Sequence, residues 1–149
     1  DLCRWYEPLD DRSYLFWADG AEHTYIRNRT FPYMTARVTD PAAAFTGLPA
    51  PEAGEVSFWL DDGTLPELAG AYTLRAADGR LTAASGSAPD FRLTPAGAAH
   101  LLFGALSADD LFRYGEAAWL TDDEAARDEA LRFLRGNFPL LRNWVNEWY

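Results

Sequence analysis

The run Phe91 to Glu116, FRLTPAGAAHLLFGALSADDLFRYGE, constrains this chain more than any other stretch. Phe91 and Leu93 alternate with Arg92, as at the end of a strand with one buried face. Thr94 offers a hydroxyl to cap a helix, and Pro95 suits the first helical position, where a missing N–H costs nothing. Ala98, Leu101, Leu102 and Ala105 then recur at helical spacing and predict one apolar stripe. Ser107 restarts the pattern, with Asp109 and Asp110 in the new first turn, where the helix dipole favours negative charge. A strand feeding two short capped helices implies a sheet covered on one face by helices. The segments before this run read as the sheet, and most of those after it read as the cover.

The preceding segments fit that layer. Met34, Ala36 and Val38 alternate with polar residues and predict a strand; Asp40-Pro41 then predicts a short helix over Ala42–Phe45. Gly47 to Gly54 is rich in proline and glycine and reads as a loop. Val56, Phe58 and Leu60 form a second alternating run, which sends Trp59 to the polar side as a candidate interface anchor. Leu65 to Gly70 is ambiguous, because Pro66 would interrupt a central strand. Ala71–Ala77 and Arg80–Ser85 flank Asp78-Gly79, a strong hairpin signal, since both turn residues tolerate positive φ. A two-residue turn sets Leu74 opposite Ala83 and Ala76 opposite Leu81, with Tyr72 on the same apolar face. Nearer the start, Tyr14–Trp17, Asp19-Gly20 and Thr24–Ile26 suggest another hairpin.

After the organising run, Thr121-x-x-Glu124 matches a capping box. Ala126, Ala130, Phe133 and Leu134 make a helical stripe, Asp123–Arg127 and Asp128–Arg132 are candidate i, i+4 pairs, and Gly136 is the expected stop. The tail, FPLLRNWVNEWY, places Trp144, Trp148 and Tyr149 where most chains fray, so it is expected to pack against something. The expected fold is α+β: an antiparallel-rich sheet covered on one face by helices.

Composition removes several functions. The net charge is −10 and every basic residue is arginine. Nucleic-acid binding needs a basic surface, so it is not expected; a cationic substrate is electrostatically easier, although acidity also simply aids solubility. No apolar run reaches the roughly 20 residues of a membrane helix, and no signal peptide is visible. One cysteine, Cys3, forms no internal disulfide, and with only two histidines a zinc cluster is not expected. A reducing cytoplasm is the expected compartment. The chain begins without Met, as a fragment or a processed product does. No P-loop, G-x-G-x-x-G or G-x-S-x-G motif is present. The carboxylate pairs at 10–11, 61–62, 109–110 and 122–123 are explained by turns and first helical turns, and His100 reads as a surface or interdomain residue.

Residues alone therefore give a fold without an evident active site. The runs FPYMTARVTDPAAAF and DFRLTPAGAAHLLFGALSADDLFRYGEA, with the aromatic terminus NEWY, resemble the C-terminal region of Eis-type (enhanced intracellular survival) GNAT acetyltransferases, whose last domain is sterol-carrier-protein-like. The opening LCRWYEPLDDRSYLFWAD resembles the tail of the acetyltransferase-like domain before it. The resemblance implies residues 1–32 as that tail or an N-terminal hairpin extension, and 33–149 as the sterol-carrier-protein-like domain. It implies transfer of acetyl from acetyl-CoA to an amine by the intact protein, with preceding acetyltransferase domains and other copies as partners, and no cofactor held by this chain. The family's Gln/Arg-x-x-Gly-x-Gly/Ala loop has no match, since Arg113-Tyr114-Gly115 has one spacer. The one catalytic group it implies here is the C-terminal carboxylate of Tyr149, with Trp144, Glu147 and Trp148 at the substrate. Desolvation by those aromatics would raise a carboxyl group whose ordinary pKa is about 3.3–3.7. The alternatives are a lipid or sterol carrier module, which bulky Phe58, Leu60, Tyr72 and Leu74 disfavour by filling the space, and a structural oligomerisation scaffold.

Overall fold

The computed structural model describes residues 36–141. The chain divides into two compact units, Asp1–Thr35 and Ala36–Tyr149. The hairpin expected near Asp19-Gly20, and Trp144, Glu147, Trp148 and Tyr149, lie outside the described residues.

The sheet has five strands, β1 (Gly54–Leu60), β2 (Gly70–Ala77), β3 (Arg80–Ser85), β4 (Phe91–Leu93) and β5 (Ala117–Trp119), in the order β3-β2-β1-β4-β5. The β2–β3 hairpin has the register that its turn dictates, Leu74 with Ala83 and Ala76 with Leu81. Asp78 and Gly79 both take positive φ, 53° and 74°, which matches the twist of the strands they join. All pairs are antiparallel except β1 with β4, which is parallel. Asp90 makes that junction possible. Its carboxylate accepts from Ser57 N at 2.9 Å, and its carbonyl accepts from Leu120 N and Thr121 N.

The helices cover one face. Helix α1 (Pro41–Phe45) is capped by Asp40, α2 (Pro95–Leu102) by Thr94, α3 (Ala108–Arg113) by Ser107, and α4 (Glu124–Asn137) by Asp123. A short 3-10 turn, Pro66–Leu68, resolves the ambiguous segment before β2. Val56, Phe58, Leu60, Leu74, Leu81, Phe91 and Leu93 form the buried side of the sheet. Phe58 lies at its centre, stacked on Tyr72 and Phe91 and edge-on to Phe45 of α1. The opposite face carries exposed Trp59, Arg75 and Arg92 among the described residues. The outer edge of β3 is sealed by the loop after α1: Leu81 N donates to Leu48 O at 2.9 Å, Gly47 N to Leu81 O at 2.8 Å, and Ala83 N to the Thr46 hydroxyl at 3.1 Å. An edge closed this way offers no template to another chain.

Six local expectations are corrected. Ala36–Val38 pairs with no strand; Val38 is buried and Arg37 turns to Asp62 instead. Helix α2 ends at Leu102, so Ala105 leaves the stripe and is exposed, because Gly104 adopts φ 61° and reverses the chain. Ala117–Trp119, within the expected helical cover, is an edge strand. Asp123 rather than Thr121 caps α4, and Gly136 lies inside that helix. Neither expected i, i+4 pair forms: Arg127 reaches back to Thr121 O and Asp122, and Arg132 crosses to Glu52.

Candidate functional site: an apolar groove at the helix ends

Three segments converge where α2 and α4 end. Gly104 lets the chain after α4 pass close by, since a Cβ there would lie 2.6 Å from Pro139 O and 2.7 Å from Leu141 N. Leu141 N donates to Gly104 O at 2.9 Å and fixes the crossing. On the other side, Gly136 admits the loop before β1, because a Cβ there would lie 2.6 Å from the Cβ of Glu52. Asn137 then ties that loop to α4. Glu52 N donates to its Oδ1 at 3.1 Å, and its Nδ2 donates to Glu52 O at 2.9 Å and Phe133 O at 3.0 Å.

Between these contacts is a groove of about 310 Å³, lined chiefly by Leu48, Pro49, Leu101, Leu102, Phe138 and Leu141. Phe103, Leu140 and Leu141, three large apolar residues, are exposed in the same segments. Asn137 is the polar side chain in the lining, and its donors and acceptor are already engaged with the protein. The groove can therefore bind by shape and apolar contact, but among the described residues it presents no converging acid, base or nucleophile.

Charged and titratable groups outside the lining serve structure. Arg135 of α4 pairs with Asp109 of α3 at 2.9 Å, and this hydrogen bond holds the Asp109 carboxyl below the usual carboxylate range. Asp62 is also held low, first by the Leu65 N–H and then by Arg37. Burial pushes the Tyr72 hydroxyl up, with Asp40 adding to it. His100, half-buried in the last turn of α2, keeps its Nδ1 buried without a hydrogen-bond partner. Among the described residues no group of His, Cys, Asp and Glu is arranged to hold a metal, and no helix is long and apolar enough to cross a membrane.

Of the residues singled out from sequence, Trp59 stands exposed on the open face, away from the groove-lining residues. Trp144, Glu147, Trp148 and Tyr149 come after Leu141, the last described residue and part of the groove wall. Gly104, Asn137 and Glu52 carry no signal strong enough to be read, although a glycine just past an apolar helical stripe is a recognisable stop.

In several solved structures this fold forms part of a longer chain. An N-acetyltransferase related to GCN5 from Kribbella flavida matches 76% of this chain at 21% identity, with a TM-score of 0.59, over 28% of its own length. A second such protein, from Anabaena variabilis ATCC 29413, matches 69% at 21% identity and TM-score 0.55, over 26% of its length. Eis1 from Mycobacterium abscessus matches 67% at 18% identity and TM-score 0.51, over 23% of its length. The chain thus spans about a quarter of each of these proteins. A search of curated protein sequences finds no match. The family model described as a sterol carrier protein domain matches residues 26–145, and its span joins the helix-covered sheet to the groove: the chain belongs to the sterol carrier protein domain family.

Proposed function

We propose that this chain is the C-terminal part of a GNAT-type, Eis-like N-acetyltransferase, which transfers acetyl from acetyl-CoA to an amine. One observation carries the reading: two solved proteins that share the fold are GCN5-related N-acetyltransferases, and in each the matching segment is about a quarter of the chain. In this reading residues 1–32 are the tail of a preceding acetyltransferase-like domain, and 33–149 form the sterol-carrier-protein-like domain. Acetyl-CoA binds to the preceding domains and not to this chain. The domain supplies a wall of the amine site, with Trp144, Glu147 and Trp148 around the substrate and the Tyr149 carboxylate as base. The acidity of the chain, −10 overall, favours a cationic acceptor. The intact protein acts as a homo-oligomer in the cytoplasm.

The test is acetyl-CoA turnover by the complete protein with amino-sugar and polyamine acceptors. Removal of Tyr149 should lower kcat by at least about a hundredfold, as loss of a general base does, while leaving the KM for acetyl-CoA unchanged. Full activity without Tyr149 refutes the catalytic assignment, and absence of acetyl transfer from the complete protein refutes the enzyme class.

The groove supports a second reading, an apolar-ligand carrier. Phe58, Leu60 and Leu74 fill the space under the helices, so a ligand would use the groove at the helix ends. Saturable, micromolar binding of a fluorescent fatty acid, weakened by Leu101→Arg, would favour it.

A further inference from the structure

The Asp62 carboxylate is a prepared receptor. Its side chain is 1% exposed, and Oδ1 accepts from Thr64 N at 2.9 Å and Leu65 N at 2.8 Å. These bonds come from its own loop, so the carboxylate is oriented independently of what it receives. Arg37 fills it, with Nη2 at 2.6 Å and 2.5 Å from the two oxygens.

Arg37 sits just inside the unit that begins at Ala36. From there the chain runs as a strap: Val38 is buried, α1 comes next, and Phe45 seats edge-on against Phe58 and Phe138. Residues 46–50 then close the edge of β3. Among the described residues, the Arg37–Asp62 pair is the one hydrogen-bonded tie from 36–45 to the sheet side of the unit. The neighbouring bonds, Ala43 N to Asp40 and the Thr46 hydroxyl to Ala42 O, are local.

We propose that Asp62 is a positioning residue, and that its pairing with Arg37 is a latch fixing the point at which the chain enters this unit. Phe45 keeps the far end of the strap seated when the latch opens, so residues 36–40 lift while the sheet stays folded. The proposal is independent of the acetyltransferase reading and holds for any function of the longer protein.

Trypsin reads the latch directly, because every basic residue here is an arginine. In the 149-residue chain, Asp62→Asn keeps an acceptor for Thr64 N and Leu65 N but removes the charge. Cleavage at Arg37–Val38 should accelerate about tenfold or more, with cleavage at Arg75, Arg92 and Arg132 within about twofold of the parent, as expected for a local opening. Unchanged cleavage at Arg37, or equal acceleration at all four sites, overturns the proposal. Should Asp62→Asn fail to fold, Arg37→Gln decides by amide hydrogen exchange. Faster exchange confined to residues 38–40 supports the latch; unchanged exchange, or exchange that also rises across β1, refutes it.

Discussion

Replacing Asn137 by Ala tests the account of how the groove is held together. Three hydrogen bonds disappear: Glu52 N to Oδ1, and Nδ2 to the carbonyls of Glu52 and Phe133. The Phe133 carbonyl is the i−4 partner of Asn137 within α4, so it retains the helix bond. The backbone N–H and C=O of Glu52 do not, and each part-buried group left without a partner costs about 1–2 kcal/mol. Alanine returns about 0.5 kcal/mol through its better helix propensity. The net loss is about 1.5–3.5 kcal/mol, a large share of the 5–15 kcal/mol typical of a folded domain. In urea the midpoint should fall with no change in m, and Tm should drop by about 5–10 °C. Asn137→Asp should be worse at neutral pH, because a carboxylate oxygen would then face two carbonyls. Its folded pKa would rise, so the penalty is absent at low pH and grows as pH rises through the unfolded carboxylate value of about 3.9. A loss under about 0.5 kcal/mol for Asn137→Ala, or a pH-independent Asn137→Asp, would refute the view that this side chain bonds the loop to α4.

Other outcomes rest on the same geometry. Phe58→Ala removes the ring that Phe45, Tyr72 and Phe91 contact, and should cost about 3–5 kcal/mol in chemical denaturation. Gly104→Ala should lower stability by more than the ordinary left-handed penalty of about 1 kcal/mol, because the new methyl meets backbone atoms of Pro139 and Leu141; equal stability by calorimetry counts against the crossing described. Asp62 and Asp109 are both held below their ordinary range, so they bind fewer protons folded than unfolded near pH 4. Their contribution is present above the unfolded carboxylate value and is lost as pH falls through the depressed folded values. Asp109→Asn should therefore flatten the acid limb of a stability–pH curve, and an unchanged limb contradicts the assignment.

The hairpin was legible from sequence because one two-residue turn fixes both register and burial: once Asp78 and Gly79 take positive φ, Leu74 must meet Ala83. Thr94 and Ser107 were legible as caps for a similar reason, since each hydroxyl serves an N–H three residues on. Where partners lay outside the helix, local rules misled. Arg127 and Arg132 found acceptors at Thr121 and Glu52 that helical spacing does not include. The β5 strand is three residues long, too short to show a period, and is specified by its pairing with β4. Asn137 looks like any polar residue near a helix end; its role depends on a glycine beside it and a loop 85 positions away. The site residues implied by the family resemblance rest on that likeness and not on any pattern in the chain.

The loop that closes β3 also forms one wall of the groove, through Leu48 and Pro49. Its two sides are mechanically one piece. Drawing Leu48 outward to widen the groove would pull its carbonyl from Leu81 N. The sheet edge thereby resists widening of the groove on the Leu48 side.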